Sequence, residues 1–265
     1  MDSALKFFLA IFLLLTLQLV AFANIPSNPC ADRTNLFAVV DRPTVGDSAC
    51  VVANKNSIIE LGYQYQNLQG GGYQYNAPQL EYRLGLINNY EAVFILPNYI
   101  HQTLTSGFST TTLGIKHQAL AQKNWVLSFE GLLTPPSGSS AFGSNNLGAT
   151  FNGIFSYNFT DALNLTAMGG ISSQNESTFS GGQRYFSVNP DLVLSWNKDK
   201  ISIYGELYGQ SRTEFKEGSG FNADTGILYL LKKNISIDLE IGQHLSGSLG
   251  GYNHYIGTGM AILLN

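Results

Sequence analysis

From Ser57 to Leu264 the sequence alternates between apolar and polar residues with a period of two. In the stretch Ile235–Ile241, for example, aliphatic side chains at the odd positions alternate with Ser236, Asp238 and Glu240. Successive side chains of a β-strand point to opposite faces, so this alternation predicts strands with one apolar and one polar face. About twelve such strands of roughly ten residues fit this part of the chain. A strand of roughly ten residues is long enough to cross a bilayer at a tilt.

The connections between these strands also alternate, between short turns and longer Gly/Ser-rich loops. Transmembrane barrels have short periplasmic turns and longer external loops, and an even strand number leaves both chain ends in the periplasm. We therefore predict an all-β fold, a transmembrane antiparallel β-barrel of about 12 strands with a short N-terminal disulfide-containing segment. The short turns are predicted near Asn88-Asn89, Ala121–Asn124, Thr160-Asp161, Asn197–Lys200 and Lys232–Asn234, and the loops near Leu68–Gly72, Ile100–Gly107, Pro135–Asn145, Gln174–Gln183, Arg212–Gly220 and Leu245–Asn253.

Aromatic residues next to the short turns support a membrane location. Tyr90 and Trp125 follow such turns, and Tyr157 and Trp196 precede them, as expected for an aromatic girdle at one membrane interface. A soluble β-sandwich or a lipocalin-like barrel would also alternate. Either would have to place its apolar face inward, and about twelve strands would then need a large core.

The first residues are typical of a targeting segment. Lys6 precedes an apolar run from Phe7 to Val20, and Ala21-Phe22-Ala23 has the pattern of a cleavage site. We predict that residues 1–23 are a signal peptide and that the mature chain reaches the bacterial outer membrane. The alternative is an uncleaved membrane anchor, for which the apolar run is short.

Residues 24–55 show no sustained alternation and contain three prolines and both cysteines. We interpret them as an N-terminal periplasmic or plug segment, followed by the barrel over residues 56–265. Cysteine pairs of exported proteins usually oxidise, so we predict a disulfide between Cys30 and Cys50. Without a nearby histidine, the two cysteines would make a poor zinc site.

The polar faces of the strands predict which charged residues face the lumen. Such residues could form an ion-pair network that packs the interior, or a charged field that selects solutes. Paired catalytic carboxylates are a third alternative. The predicted lumen-facing residues are Glu60, Glu81, Arg83, Lys116, Glu130, Asp191, Glu206, Asp224, Asp238 and Glu240.

Evidence for other functions is sparse. The net charge of −4 gives no basic field, so nucleic acid is not expected as a partner. No G-x-S-x-G, H-E-x-x-H or P-loop motif occurs, and we expect neither an enzyme nor a cofactor. His117 shares the lipid-facing register of Ile115, without a serine beside it. His101, His244 and His254 lie near predicted loops, where a metal site is conceivable but solvated side chains are usual.

Several short stretches resemble the outer-membrane transporter family of the meta-pathway of phenol degradation. They are Pro78–Gly85 (PQLEYRLG), Leu113–Lys116 (LGIK), Leu133–Gly138 (LTPPSG), Gly205-Glu206 and Gly257-x-Gly259. The resemblance covers about Ile58 to Leu264 and implies an outer-membrane barrel with a role in transport. The C-terminal Gly259–Leu264 also resembles the signal that barrel-assembly machinery reads.

The leading functional prediction is a channel or facilitator for small solutes, including hydrophobic or aromatic ones. The expected partners are outer-membrane lipid, the barrel-assembly machinery and a small-molecule solute, and the sequence does not fix the oligomeric state. A non-conducting structural or adhesion barrel is the first alternative, and an outer-membrane barrel hydrolase is the second.

Overall fold

The computed structural model describes residues 27–264, so the predicted signal peptide lies outside the described residues. Within that range, no helix is both long and apolar enough to cross a membrane. The helical elements described are α1 (Leu36–Val39) and a 3-10 helix (Leu249–Gly251). The strands are β1 (Ser57–Leu68), β2 (Tyr73–Gly85), β3 (Tyr90–Leu96), β4 (Tyr99–Gln102), β5 (Thr105–Phe108), β6 (Thr112–Ala121), β7 (Trp125–Thr134), β8 (Gly148–Asn158), β9 (Leu163–Asn175), β10 (Arg184–Lys198), β11 (Ile201–Gln210), β12 (Gly220–Lys232), β13 (Ile235–Ser246) and β14 (Tyr252–Leu264).

All fourteen strands belong to one antiparallel sheet, which closes because β1 pairs with both β2 and β14. The ring itself has twelve strands, since two of them are interrupted. Strand β2 pairs with β3 through Leu80–Gly85 and with β4 through Gln74–Ala77. Pro97, which has no backbone N–H to donate to a sheet, lies between β3 and β4. Opposite this break, β6 pairs with β3 and β5 pairs with β4.

The predicted strand number and fold class are confirmed, but the prediction of a loop over Ile100–Gly107 is wrong. These residues belong mainly to β4 and β5, which form a tight hairpin that lengthens the barrel wall. The Gly, Ser and Thr residues of this hairpin are typical of loops, so sequence analysis predicted a loop instead of two paired strands.

Apolar side chains cover the outside of the barrel, and polar side chains face its interior. Along β13, Ile237 and Ile241 are 41% and 55% exposed, whereas Asp238 and Glu240 between them are 5% and 3% exposed. A soluble protein buries its apolar face, and this barrel does the reverse. The soluble sandwich and lipocalin-like alternatives are therefore excluded, and the barrel is of the transmembrane type.

The two ends of the barrel differ in their connections, as predicted. Short turns join the strands at one end, where Asn88, Asn89 and Asp199 adopt left-handed backbone conformations that asparagine and aspartate tolerate. Longer loops, such as residues 135–147 and 211–219, lie at the opposite end. We call these the short-turn end and the loop end, and the rule for such barrels assigns them to the periplasm and the exterior.

The four girdle aromatics lie at the short-turn end. Trp125 begins β7 and pairs across the sheet with Tyr157. Tyr90 begins β3 and stacks on His117, with 4.1 Å between the ring centroids. Trp196 lies close to the end of β10. This placement agrees with the sequence prediction of a girdle at one interface.

Residues 27–56, which we call the N-terminal segment, occupy the lumen. The α1 residues Leu36 and Val39 are fully buried and pack against inward-facing Ile58 and Leu263 near the short-turn end. The N-cap Asn35 accepts a hydrogen bond from the backbone N–H of Phe37 at 3.1 Å. The core of this protein therefore lies between the segment and the inner wall.

A disulfide joins Cys30 and Cys50, as predicted, and both residues belong to the same apolar cluster. It closes the chain around α1. A segment of this length has little apolar surface of its own to bury, so it depends on the cross-link and on the barrel wall for its fold.

Candidate channel lumen

All ten charged residues predicted to face the lumen lie on the inward-facing register of their strands. Nine of them are buried, and Glu81 is the most accessible, with its side chain 22% exposed. The inward-facing residues are Glu60, Glu81, Arg83, Lys116, Glu130, Asp191, Glu206, Asp224, Asp238 and Glu240.

Arg83 on β2 is the centre of an ion-pair network at the short-turn half of the lumen. Its fully buried guanidinium lies 3.0 Å from Asp41, 3.2 Å from Glu91 and 2.5 Å from Glu60. Glu81 is 3.3 Å from the Nε atom. The surrounding carboxylates offset the desolvation cost of a buried cation, which would be large for an unpaired one.

Lys116 on β6 extends this network toward β7. Its Nζ lies 3.1 Å from Asp41, 3.5 Å from Glu91 and 3.9 Å from Glu130. The amide of Asn152 on β8 donates a hydrogen bond of 2.9 Å to the other oxygen of Glu130. Asp41 of the N-terminal segment thus binds both buried cations of the wall.

Arg42 is the cation that the segment contributes. Its Nη2 lies 3.0 Å from Asp238 and 3.9 Å from Glu240, both on β13, and its Nη1 donates to Gln79 on β2 at 3.1 Å. Burial by itself would lower the pKa of the Arg42 guanidinium, but the attraction of Asp238 and Glu240 raises it above its ordinary value. Arg42 therefore ties the segment to two separate parts of the wall.

Wall carboxylates also bind the backbone of the segment. Glu60 accepts hydrogen bonds from the N–H groups of Asp41 and Arg42, at 3.1 and 2.7 Å. Glu206 accepts from the N–H groups of Val45 and Gly46, at 2.9 and 2.7 Å. These are charge-assisted hydrogen bonds, which are stronger than neutral ones.

Glu91 serves both the network and the segment. Besides its contacts with the two wall cations, it accepts a hydrogen bond from the N–H of Val52 at 2.6 Å. Inside the segment, the N–H of Ser48 donates to Asp41 at 2.7 Å. The segment is thus held along most of its length after the helix.

A second group of acidic residues, on strands β10 to β12, has different partners. Asp224 accepts a hydrogen bond of 2.7 Å from the Tyr255 hydroxyl. The hydroxyls of Tyr208 and Tyr252 are 2.5 Å apart. Asp191 has no hydrogen-bond donor among the described residues, and its carboxyl group lies beside that of Glu206. In contrast to Glu81 or Glu130, Asp191 has no lysine or arginine within ion-pair distance in the described chain.

Three cavities remain in the lumen around the segment. The turn-side cavity, of about 250 Å³, lies near the short-turn end against Asn158, Asp161 and Asn197. Two more lie toward the loop end: the acidic cavity, of about 300 Å³, contains Asp191, and the Arg42 cavity, of about 380 Å³, contains Arg42. Asp47 of the N-terminal segment lines all three cavities.

Sequence analysis missed four charged residues of this lumen. Glu91 was missed because β3 looks apolar on both faces, although its position across the sheet from Lys116 marks it as inward-facing. Asp41, Arg42 and Asp47 were missed because the segment has no periodicity from which a side-chain direction could be derived. Among them, Asp47 has a pKa raised well above its ordinary value by burial and by the charges of Glu130 and Asp41.

The histidines do not assemble into a metal site. Within the described range, no three His, Cys, Asp or Glu side chains are placed to hold a metal ion. His101 Nδ1 lies 2.6 Å from the Ser106 hydroxyl, its neighbour across the β4–β5 hairpin, and its ring stacks on Tyr75. A hydrolytic serine–histidine pair needs a third group that orients the ring through its other nitrogen. No described residue makes such a hydrogen bond.

The comparisons with known proteins agree with this architecture. A model of the family described as "Putative MetA-pathway of phenol degradation" matches residues 40–262. That range includes the barrel and the part of the N-terminal segment that carries Asp41, Arg42 and Asp47. No curated protein matches the sequence.

Solved structures show the same fold at low sequence identity. An outer membrane channel from Pseudomonas putida F1 superimposes with a TM-score of 0.66 at 11% identity, covering 84% of this chain and 100% of that chain. The KdgM porin superimposes with a TM-score of 0.54 at 13% identity, covering 77% and 98% of the two chains. A second structure of KdgM, in complex with disordered oligogalacturonate, gives the same values.

Proposed function

The chain belongs to this phenol-degradation family, and we propose that it is a bacterial outer-membrane channel or facilitator for small solutes, hydrophobic or aromatic ones among them. The apolar outer face and the closed ring support a location in the outer membrane, in contact with its lipid. Export through a signal peptide and insertion by barrel-assembly machinery belong to the same proposal. The names of the similar structures, a channel and a porin, point in the same direction.

One observation carries the proposal: cavities lie on both sides of the N-terminal segment, within a barrel whose inner wall is polar. Solute would pass between the segment and the wall. Residues 24–55 would then act as a plug that narrows the lumen, and the inward-facing charged residues would line the remaining path. The proposal assigns no catalysis to the chain, so purified protein should hydrolyse neither lipids nor peptides.

Single-channel recording in planar bilayers tests this function. The intact protein should show a small conductance, because the segment fills much of the lumen. A variant lacking residues 28–51, which removes both cysteines together, should show a larger one. A gel shift between unheated and boiled samples would verify that each barrel is folded. If folded barrels with and without the segment both fail to conduct, the channel function is refuted.

A non-conducting structural barrel is the second candidate, and the packed network around Arg83 favours it. The segment, the apolar cluster and the ion pairs pack together in the short-turn half of the lumen. In that case the intact protein would not conduct at all, whereas the variant without residues 28–51 would. Conductance of the intact protein therefore decides between the two candidates.

A further inference from the structure

The acidic cavity combines carboxylates with an apolar wall. Four acidic side chains line it, from the segment, β2, β7 and β10, and no lysine or arginine does. Beside them lie apolar residues at positions that the alternation of the barrel would otherwise make polar, with Met168 paired to Asp191 and Ile95 paired to Glu81 across the sheet. The acidic residues are Asp47, Glu81, Glu130 and Asp191, and the apolar ones include Val93, Ile95, Leu132 and Met168.

Two of these carboxylates already have cationic partners. Glu81 lies 3.3 Å from Arg83, and Glu130 lies 3.9 Å from Lys116 and accepts a hydrogen bond from Asn152. Their charges are offset within the protein. They shape the cavity without requiring a ligand.

The other two carboxylates have no such partner. Asp191 is 7% exposed and lines the cavity, and it has no hydrogen-bond donor among the described residues, since its carboxyl group lies beside that of Glu206. Gly46, next to Asp47, lies so close that a Cβ atom there would come within 2.5 Å of Asp191 Oδ1. Neither Asp47 nor Asp191 forms an ion pair with a described lysine or arginine. Ionising either carboxyl group without a partner is costly in the lumen, and a cation from outside the protein would offset that cost.

The apolar wall restricts the kind of cation. A strongly hydrated metal ion gains nothing from Val93, Leu132 and Met168, and no described group of side chains is placed to coordinate one. A volume of about 300 Å³ lies at the low end for ligand sites, so it suits a small molecule. An ammonium group attached to an aromatic or aliphatic body would satisfy both sides of the cavity.

We propose that the acidic cavity binds small amphiphilic organic cations, with the ammonium group against Asp47 and Asp191 and the apolar body against Leu132 and Met168. The inference names a solute class for the proposed channel and so rests on that function. Equilibrium binding in detergent is measured independently of conductance. Failure of the binding test would therefore refute the ligand class, whereas absence of conductance would refute the channel function.

Isothermal titration of the full-length barrel provides the test, with benzylammonium as the probe. Benzyl alcohol has nearly the same shape without the charge, and methylammonium has the charge without the ring. Benzylammonium should bind at least about tenfold more tightly than either, because each lacks one of the two complementary features. Equal affinity for benzyl alcohol and benzylammonium would overturn the proposal.

Two charge-removing variants locate the site. Asp191→Asn and Asp47→Asn should each weaken benzylammonium binding by about tenfold and leave benzyl alcohol binding unchanged. Glu214→Gln removes the same charge from a loop residue that does not line the cavity, and it should change neither. If one variant fails to fold, the other carries the test, since the two residues lie on separate elements. Unchanged affinity in a folded variant of either residue would refute the assignment.

Discussion

Arg42 and Asp238 lie 3.0 Å apart although 196 residues separate them in the sequence. The pair is a direct salt bridge that joins the N-terminal segment to β13. Because the Arg42 side chain is 13% exposed and that of Asp238 is 1% exposed, the pair is largely shielded from solvent. Removing the pair should therefore lower the free energy of unfolding and raise the single-channel conductance.

We predict that Arg42→Ala lowers the free energy of unfolding by about 2–3 kcal/mol, somewhat less than for a fully buried pair. The variant leaves Asp238 and Glu240 without their cation, so the segment should also loosen and single-channel conductance should rise. Urea unfolding followed by tryptophan fluorescence measures the first effect. Arg33→Ala is the matched control, since half-buried Arg33 donates a hydrogen bond to the neutral side chain of Asn89 and forms no ion pair with a described residue. Equal losses in the two variants would contradict the prediction.

Lys116→Met should destabilise the barrel more strongly. The substitution keeps most of the side-chain volume but leaves Glu91 and Glu130 with less positive charge nearby, and breaking a buried pair costs about 3–5 kcal/mol. The same measurement on Lys232→Met, at the exposed end of β12, should show a change below about 0.5 kcal/mol. A stable Lys116→Met barrel would show that the network is not needed to hold the fold.

The disulfide should stabilise the segment rather than the ring. A cross-link over 20 residues is worth about 3 kcal/mol by chain-entropy estimates. Cys30→Ser with Cys50→Ser should therefore keep the gel shift of a folded barrel but make the segment sensitive to protease. Thiol labelling of the denatured, unreduced wild type should find no free cysteine. Stoichiometric labelling would refute the pairing.

Asp47 should make stability depend on pH. Its pKa is raised in the folded protein from an ordinary value of 3.8, so the folded state binds more protons than the unfolded state above that pH. The contribution of Asp47 is thus most favourable in acid and is lost as pH rises toward the folded pKa. Asp47→Asn should gain stability relative to wild type as pH rises from 4 to 8. A stability difference that stays constant across this range would refute it.

Ion selectivity should follow the surplus of inward-facing acids. Lumen carboxylates outnumber the basic side chains Arg42, Arg83 and Lys116, so the path should favour permeant cations over anions. The preference should be stronger at low salt, where the Debye screening length is greater than its physiological value of about 8 Å. Glu206→Gln together with Glu240→Gln should shift the reversal potential toward anions. Conductance without any change in ion preference would defeat this prediction, even with the channel itself established.

The barrel could be predicted from sequence because its determinants are local. In β13, the polarity of each residue predicts whether its side chain faces the lumen or the lipid. Short turns with residues such as Asn88 and Asn89 mark where the chain reverses between strands. The disulfide followed from the presence of two cysteines in a chain that the sequence predicts to be exported. These features require no knowledge of which strand lies opposite which.

The contents of the lumen could not be predicted, because they depend on contacts between distant parts of the chain. Arg42 carries no periodic signal, and its partners Asp238 and Gln79 are distant from it in sequence. The same holds for Asp47, whose three cavities exist only once the segment is seated. Sequence analysis left open a packed network or a selective field. The structure shows ion pairs around Arg83 and, elsewhere in the lumen, acidic residues such as Asp191 without a described lysine or arginine partner.

The position of the segment has a consequence for biogenesis. The segment precedes the barrel in the chain, yet Glu206 on β11 and Asp238 on β13, which bind it, lie on C-terminal strands. The ring closes where β14 meets β1, immediately after the segment ends. Seating of the segment on β11 and β13 and closure of the seam therefore both require the C-terminal strands. A chain stalled before β13 would have neither a closed wall nor a bound Arg42.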